Sequence, residues 1–148
     1  MKHQLAQINV ARMIGVNIDD PVMKEFKDNL DRVNELAESS EGFVWRLKDD
    51  SNNASAFDPY SDEQVIINIS VWEDIESLES FTYKTFHSTF VRRRKEWFQK
   101  YGKAYYALWW IAAGGTPSID ESVAKLEQLQ NEGPSPHVFS FKQTYPAP

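Results

Sequence analysis

The chain has no cysteine among its 148 residues. That excludes disulfide scaffolds, Cys-ligated zinc, iron–sulfur clusters and thiol catalysis. It also fits a reducing compartment. There is no long hydrophobic run. The longest, Ala104 to Ala113, is about half the ~20 residues that a membrane-spanning helix needs, so no membrane partner is expected. The first residues, Met-Lys-His-Gln-Leu-Ala-Gln, are polar and lack the apolar stretch of a signal peptide. Cytoplasmic localisation is the resulting expectation. Positive charge is in deficit, with 16 Lys+Arg against 22 Asp+Glu and a net charge of −6. A general nucleic-acid binder carries a basic footprint instead, so no nucleic-acid partner is expected. The three histidines, at positions 3, 87 and 137, have no ligand spacing, which argues against a metal site. No P-loop, dinucleotide fingerprint or Gly-x-Ser-x-Gly elbow occurs.

Aromatic residues are plentiful: 9 Phe, 6 Tyr and 5 Trp. The length suits one domain, spanning 1–148. His3 to Arg12 alternates with the period of a strand, Ala6, Ile8 and Val10 on one face and Leu5, Gln7 and Asn9 on the other. Asp20-Pro21 reads as a helix start, followed by an apolar stripe at Val22, Phe26, Leu30, Val33 and Ala37. Phe43 to Lys48 and Gln64 to Trp72 alternate again. Between them Asp49 to Glu63 is polar, and reads either as a lid or as a solvated hairpin extension. Asp74 caps a further helical stretch that stays helix-like through Tyr101, with a break expected near Thr82 to Thr85. Tyr105 to Ala113 is apolar on both faces and must be covered on both. Ser118-Ile-Asp-Glu121 is a capping box that opens a last helix. His137 to Thr144 reads as a final strand.

The order β-α-β-β-α-β gives an α+β, ferredoxin-like split-βαβ protomer with an extra C-terminal helix and strand. Helices cover one sheet face. For the other, a second copy of the chain is the economical cover, so a homodimer is expected.

Two groups of residues can carry chemistry. Between Arg92 and Lys103 the local charge is +5, against −11 elsewhere. Helical geometry prevents Arg92, Arg93 and Arg94 from all facing water. Arg92 groups with Lys95 and Glu96 on a solvated face. Arg94 shares a stripe with His87, among aromatic residues. His87 is then a general base or a haem ligand, with Arg94 holding an anionic group. The competing reading is a hydrogen-bonded core histidine, with Arg93 or Arg94 stacked on Trp97 or paired with a carboxylate. The second group is the polar strand face, Gln7 and Asn9 with Asn68, Ser70 and Trp72. It either orients a substrate or forms a hydrated dimer interface.

Val71-Trp72-Glu73-Asp74, followed by Leu78, Phe81 and His87, resembles the strand-to-helix signature of the dimeric α/β-barrel superfamily. That superfamily includes antibiotic-biosynthesis and haem-degrading monooxygenases. Phe-x-Tyr-x-x-x-His (81 to 87), Arg-Arg-x-Glu-Trp-Phe (93 to 98), Leu-Trp-Trp-Ile-x-x-Gly (108 to 114) and Gly-Pro-x-Pro-x-x-Phe-x-Phe (133 to 141) resemble one uncharacterised domain family within it. The resemblance implies a dimer whose two sheets form a barrel, and a small-molecule pocket between sheet and helices. It further implies a monooxygenase-like enzyme without metal or flavin, acting on an aromatic or polyketide-like compound. His87 and Arg94 are the catalytic candidates. Asn9, Asn68, Ser70, Trp72, Tyr83 and Trp110 are the substrate-binding candidates. Haem binding through His87 and a non-enzymatic ligand-binding or structural homodimer are the alternatives.

Overall fold

The computed structural model describes residues 2–48, 59–60, 62–84 and 87–148, apart from the side chain of His87. Four strands pair in one antiparallel sheet: β1 (His3–Arg12), β2 (Phe43–Arg46), β3 (Val65–Trp72) and β4 (Tyr106–Ala112). Their order is β2-β3-β1-β4. Strand β3 is thereby inserted between β1 and β2, which is the split-βαβ arrangement.

The helices form where the caps and stripes call for them. Asp20 Oδ1 accepts the Val22 N–H at 3.1 Å and opens a short turn leading into α1 (Lys24–Asp28) and α2 (Leu30–Glu38). The single expected helix is interrupted at Asn29, whose side-chain amide donates to the Glu25 carbonyl at 2.7 Å and competes with the backbone there. Asp74 accepts the Ser77 N–H at 2.8 Å and starts α3 (Ile75–Lys84), followed by α4 (His87–Arg92). Ser118 accepts the Glu121 N–H at 3.0 Å and starts α5 (Ile119–Glu132).

Alternation along the strands sorts the side chains into two faces. Ala6, Ile8, Val10, Val65, Ile67, Ile69, Val71, Ala107 and Trp109 form one buried cluster. Leu126 and Leu129 of α5 belong to it, with Ile119 and Val123 packed alongside. On the opposite face, cross-strand register aligns three rows: Leu5–Trp72–Trp110, Gln7–Ser70–Leu108 and Asn9–Asn68–Tyr106. Ala37 of α2 and Leu78 and Phe81 of α3 join Leu5, Trp72 and Leu108 there.

Three expectations need correction. The sheet face assigned to a second copy is buried within the chain, with α5 packed on β1 and β4 and Trp45, Leu47, Tyr60 and Tyr101 beside it. Burial of that face therefore gives no reason for dimerisation. The helix expected through Tyr101 ends at Arg92. Beyond it the backbone is claimed by the end of β1: Ile14 N–H donates to Trp97 O at 2.7 Å and Gln99 N–H to Arg12 O at 2.8 Å. The C-terminal strand is reduced to one bridge to the sheet, Leu108 to Phe139, with both bonds at 2.8 Å. Ser135 and Ser140 each accept the N–H two residues on, at 3.1 and 3.2 Å. These turns compete with an extended ladder. The segment Asp49 to Glu63, expected as a lid or a hairpin extension, lies largely outside the described residues.

Leu126 is fully buried beneath the sheet. Leu126→Ala is expected to cost about 2–5 kcal/mol, read from urea unfolding. A loss below about 0.5 kcal/mol would show that α5 does not close this face in solution.

Candidate functional site

Two polar residues with small or short side chains on β3, and two on β1, keep the α1–α4 side of the sheet from filling. A cavity of about 260 Å³ lies there. Asn9, Asn68, Ser70, Trp72, Tyr83 and Arg94 all line it. Asn9 and Tyr83 are exposed and mark its mouth. Tyr83 packs edge-on against Phe141 at 5.7 Å. Trp110 is not among the lining residues. Its Nε1–H donates to the Tyr145 carbonyl at 2.8 Å, which ties the C-terminal segment to β4. His87 opens α4, but its side chain is outside the described residues. Other wall residues had no individual role in the sequence, among them Phe43, Tyr105 and Tyr106. Only strand register identifies Tyr106, opposite Asn9, and no sequence spacing links Tyr105 to Arg94.

The polar wall is a connected network. Gln7 Nε2 donates to Asn68 Oδ1 and to Ser70 Oγ, each at 2.7 Å. Asn9 Nδ2 donates to Gln7 Oε1 at 3.1 Å. Trp72 Nε1 donates to Ser70 Oγ at 2.9 Å. The Trp72 ring stacks on Phe81 at 5.2 Å and meets Phe43 edge-on at 5.4 Å. Trp72 thus offers the cavity an aromatic surface, while its N–H is already committed to Ser70.

The two arginines that the sequence left undecided have opposite fates. Arg93 donates to Glu25 through both Nη atoms, at 2.8 and 2.7 Å. It also grips Glu96 at 2.7 and 2.9 Å, and it lies 4.7 Å over the Trp97 ring. These hydrogen bonds, Glu96 first, raise its pKa above the ordinary guanidinium range and hold both carboxyls low. Arg94 makes no ion pair among the described residues. Its guanidinium lies over the Tyr105 ring at 4.2 Å and the Phe98 ring at 5.4 Å. Its Nη2 is buried with no hydrogen-bond partner among the described residues. Burial lowers its pKa from the ordinary value. A buried cationic N–H without a partner is costly, and other atoms of the same side chain line the cavity.

The cavity is too small for haem. The cavity falls below the roughly 300–1,000 Å³ of drug-sized pockets, and a porphyrin is larger than a drug-sized ligand. No group of three or more His, Asp or Glu able to hold a metal ion occurs among the described residues. No helix among them is long and apolar enough to cross a membrane.

A domain family of unknown function (DUF3291) matches residues 4–148. The chain belongs to this family. No curated protein matches it in sequence. Among solved structures, PA3566 from Pseudomonas aeruginosa superposes with a TM-score of 0.50 at 14% identity, over 78% of this chain and 98% of that one. SnoaB from Streptomyces nogalater, described as a cofactor-independent oxygenase, gives 0.49 at 13% identity, over 76% and 95%. A putative antibiotic biosynthesis monooxygenase from Nitrosomonas europaea gives 0.46 at 14% identity, over 78% and 92%. At such identities the likeness concerns the fold alone.

The two arginines make a direct comparison. Arg94→Met keeps the aliphatic packing and removes the buried orphan donor, so the midpoint of urea unfolding is expected to stay level or rise. Arg93→Ala removes two carboxylate partners and a stacked ring, and the midpoint is expected to fall. A large loss in Arg94→Met would mean that Arg94 serves stability instead.

Proposed function

We propose that the chain binds a small, largely apolar anionic molecule in the cavity between the sheet and α1–α4. The observation that carries this reading is Arg94, a wall residue of an aromatic-lined cavity with no ion pair among the described residues and with an unpartnered Nη2. Apolar walls supply affinity, and a few placed polar groups supply orientation. Arg94 is the anion clamp. Asn9, Asn68 and Ser70 position the ligand through hydrogen bonds, with the rings of Trp72 and Tyr83 beside it.

The finer reading is a monooxygenase-like enzyme without metal or flavin. Its substrate is a hydroxylated aromatic or polyketide-like compound that reduces oxygen itself once deprotonated. In balance, a ring CH₂ and O₂ give a ring C=O and water. His87, seven residues before Arg94 in the chain, is the proton acceptor in this reading. The superfamily resemblance supports that chemistry. A homodimer belongs to the same reading, but it forms by exchange of α5 between copies or through another surface. Cytoplasmic localisation completes it.

Two measurements test these levels. Binding of 2-naphthoate, followed by tryptophan fluorescence, is expected to weaken about 10- to 100-fold in Arg94→Met, the loss of one charge-assisted hydrogen bond. Naphthalene itself is expected to bind both proteins alike. Equal binding of the carboxylate to both proteins removes the clamp. Oxygen uptake on a panel of phenolic anthrones and naphthols tests turnover. Uptake that disappears in His87→Ala supports the enzyme. Binding without uptake leaves a ligand-binding protein.

A further inference from the structure

Hydrogen-bond valence gives the polar wall a direction. Gln7 is buried on β1, at 5% exposure. Each of its amide protons has an acceptor, Asn68 Oδ1 and Ser70 Oγ, both at 2.7 Å. Its carbonyl oxygen accepts from Asn9 at 3.1 Å. Ser70 Oγ also accepts from Trp72 Nε1 at 2.9 Å. A hydroxyl has two lone pairs and one proton. With both lone pairs taken, Ser70 has only its proton left to offer. Asn68 Oδ1 accepts from Gln7 and, at 3.4 Å, from Asn9. Asn68 then has its N–H groups left. Neither the Ser70 proton nor the Asn68 amide group has an acceptor among the described residues. Every open valence of these two residues is therefore a donor, on the wall of the cavity that also holds Arg94. Among the four polar strand residues of this wall, the exposed Asn9 alone keeps a carbonyl oxygen, at the mouth.

We infer that Gln7 is the specificity-determining residue of this cavity: by accepting nothing from Ser70 or Asn68, it makes the polar wall donor-only. The ligand class is then narrower than an apolar anion. It carries one anionic group for Arg94 and, elsewhere on its ring system, an acceptor oxygen such as a ketone, enolate or phenolate. The cavity's size of about 260 Å³ suits a bicyclic or similar body. Gln7 touches no ligand in this account. It is a positioning residue that acts through Ser70 and Asn68. The inference rests on the cavity being a ligand site.

Gln7→Glu is the direct test. A carboxylate only accepts, so Ser70 and Asn68 must turn their protons toward it. Asn68 then presents its carbonyl oxygen to the cavity, and the wall changes sign. Three neutral bicyclic probes read this without involving Arg94: 1-indanone, which only accepts, indole, which donates, and indane, which does neither. Dissociation constants come from protein-observed NMR. The wild type is expected to bind 1-indanone about tenfold tighter than indole, the difference of one net hydrogen bond. Gln7→Glu is expected to reverse that order. Ser70→Ala, a change that leaves the sheet pairing alone, is expected to bring 1-indanone toward indane, and it stands in if Gln7→Glu does not fold. A merely structural Gln7 would weaken all three probes together and leave their order intact, which overturns the inference. Equal binding of all three probes to the wild type also overturns it, but leaves the cavity reading standing. Failure of every probe, indane included, overturns both.

Discussion

The pairing of β1 with β3 is the constraint on which the rest depends. Eight residue pairs run in unbroken antiparallel register, from Leu5–Trp72 to Arg12–Val65. Because the side-chain period of a strand is two, that register decides which face each residue serves. It places Ala6, Ile8 and Val10 with Ile67, Ile69 and Val71 on one side, and Gln7 and Asn9 with Asn68 and Ser70 on the other. A slip of one residue would press the amide groups against α5 and leave the aliphatic set facing a polar wall. Register thus builds the sealed layer and the hydrogen-bonded wall together.

The two layers that result have different character. Under α5 the sheet is closed by aliphatic packing, and Ala6, Ile8, Ile69, Val71 and Leu126 are fully buried. On the other side the helices stand over a polar wall and an unfilled volume. Native interiors are ordinarily close-packed, and an open volume with an unpaired buried cation forgoes stability. Such departures from local optimum gather where a structure binds something. Arg93 sharpens the point, because the neighbouring residue of the same type is fully committed to two carboxylates and a ring.

Much of the fold was legible because its signals are local. Alternation at Ala6-Ile8-Val10 and at Val65 to Val71 marks strands directly, and Asp20, Asp74 and Ser118 mark helix starts through side-chain oxygens that need no tertiary context. The candidate site was legible in part for the same reason: Asn68 and Ser70 are small polar residues interrupting an otherwise apolar strand. What was not legible depends on distant chain. The helix ending at Arg92 is decided by the backbone of Arg12 to Ile14, roughly eighty residues earlier. The stack of Arg94 on Tyr105 is set by how the chain re-enters the sheet. The cover supplied by α5 looked like a vacancy for a partner, because an amphipathic stripe does not say which face of which sheet it meets. The bond from Trp110 to Tyr145 likewise joins β4 to a segment that no local signal links to it.

The central claim is that Arg94 is held unpaired so that a ligand anion can meet it. The most direct measurement is a crystal structure of the chain grown with 2-naphthoate. The account predicts the rings inside the cavity and a carboxylate oxygen about 3 Å from a nitrogen of the Arg94 guanidinium, with the Arg93–Glu25 and Arg93–Glu96 pairs unchanged. A carboxylate bound elsewhere, or an Arg94 Nη2 paired with an acceptor of its own chain, would contradict it.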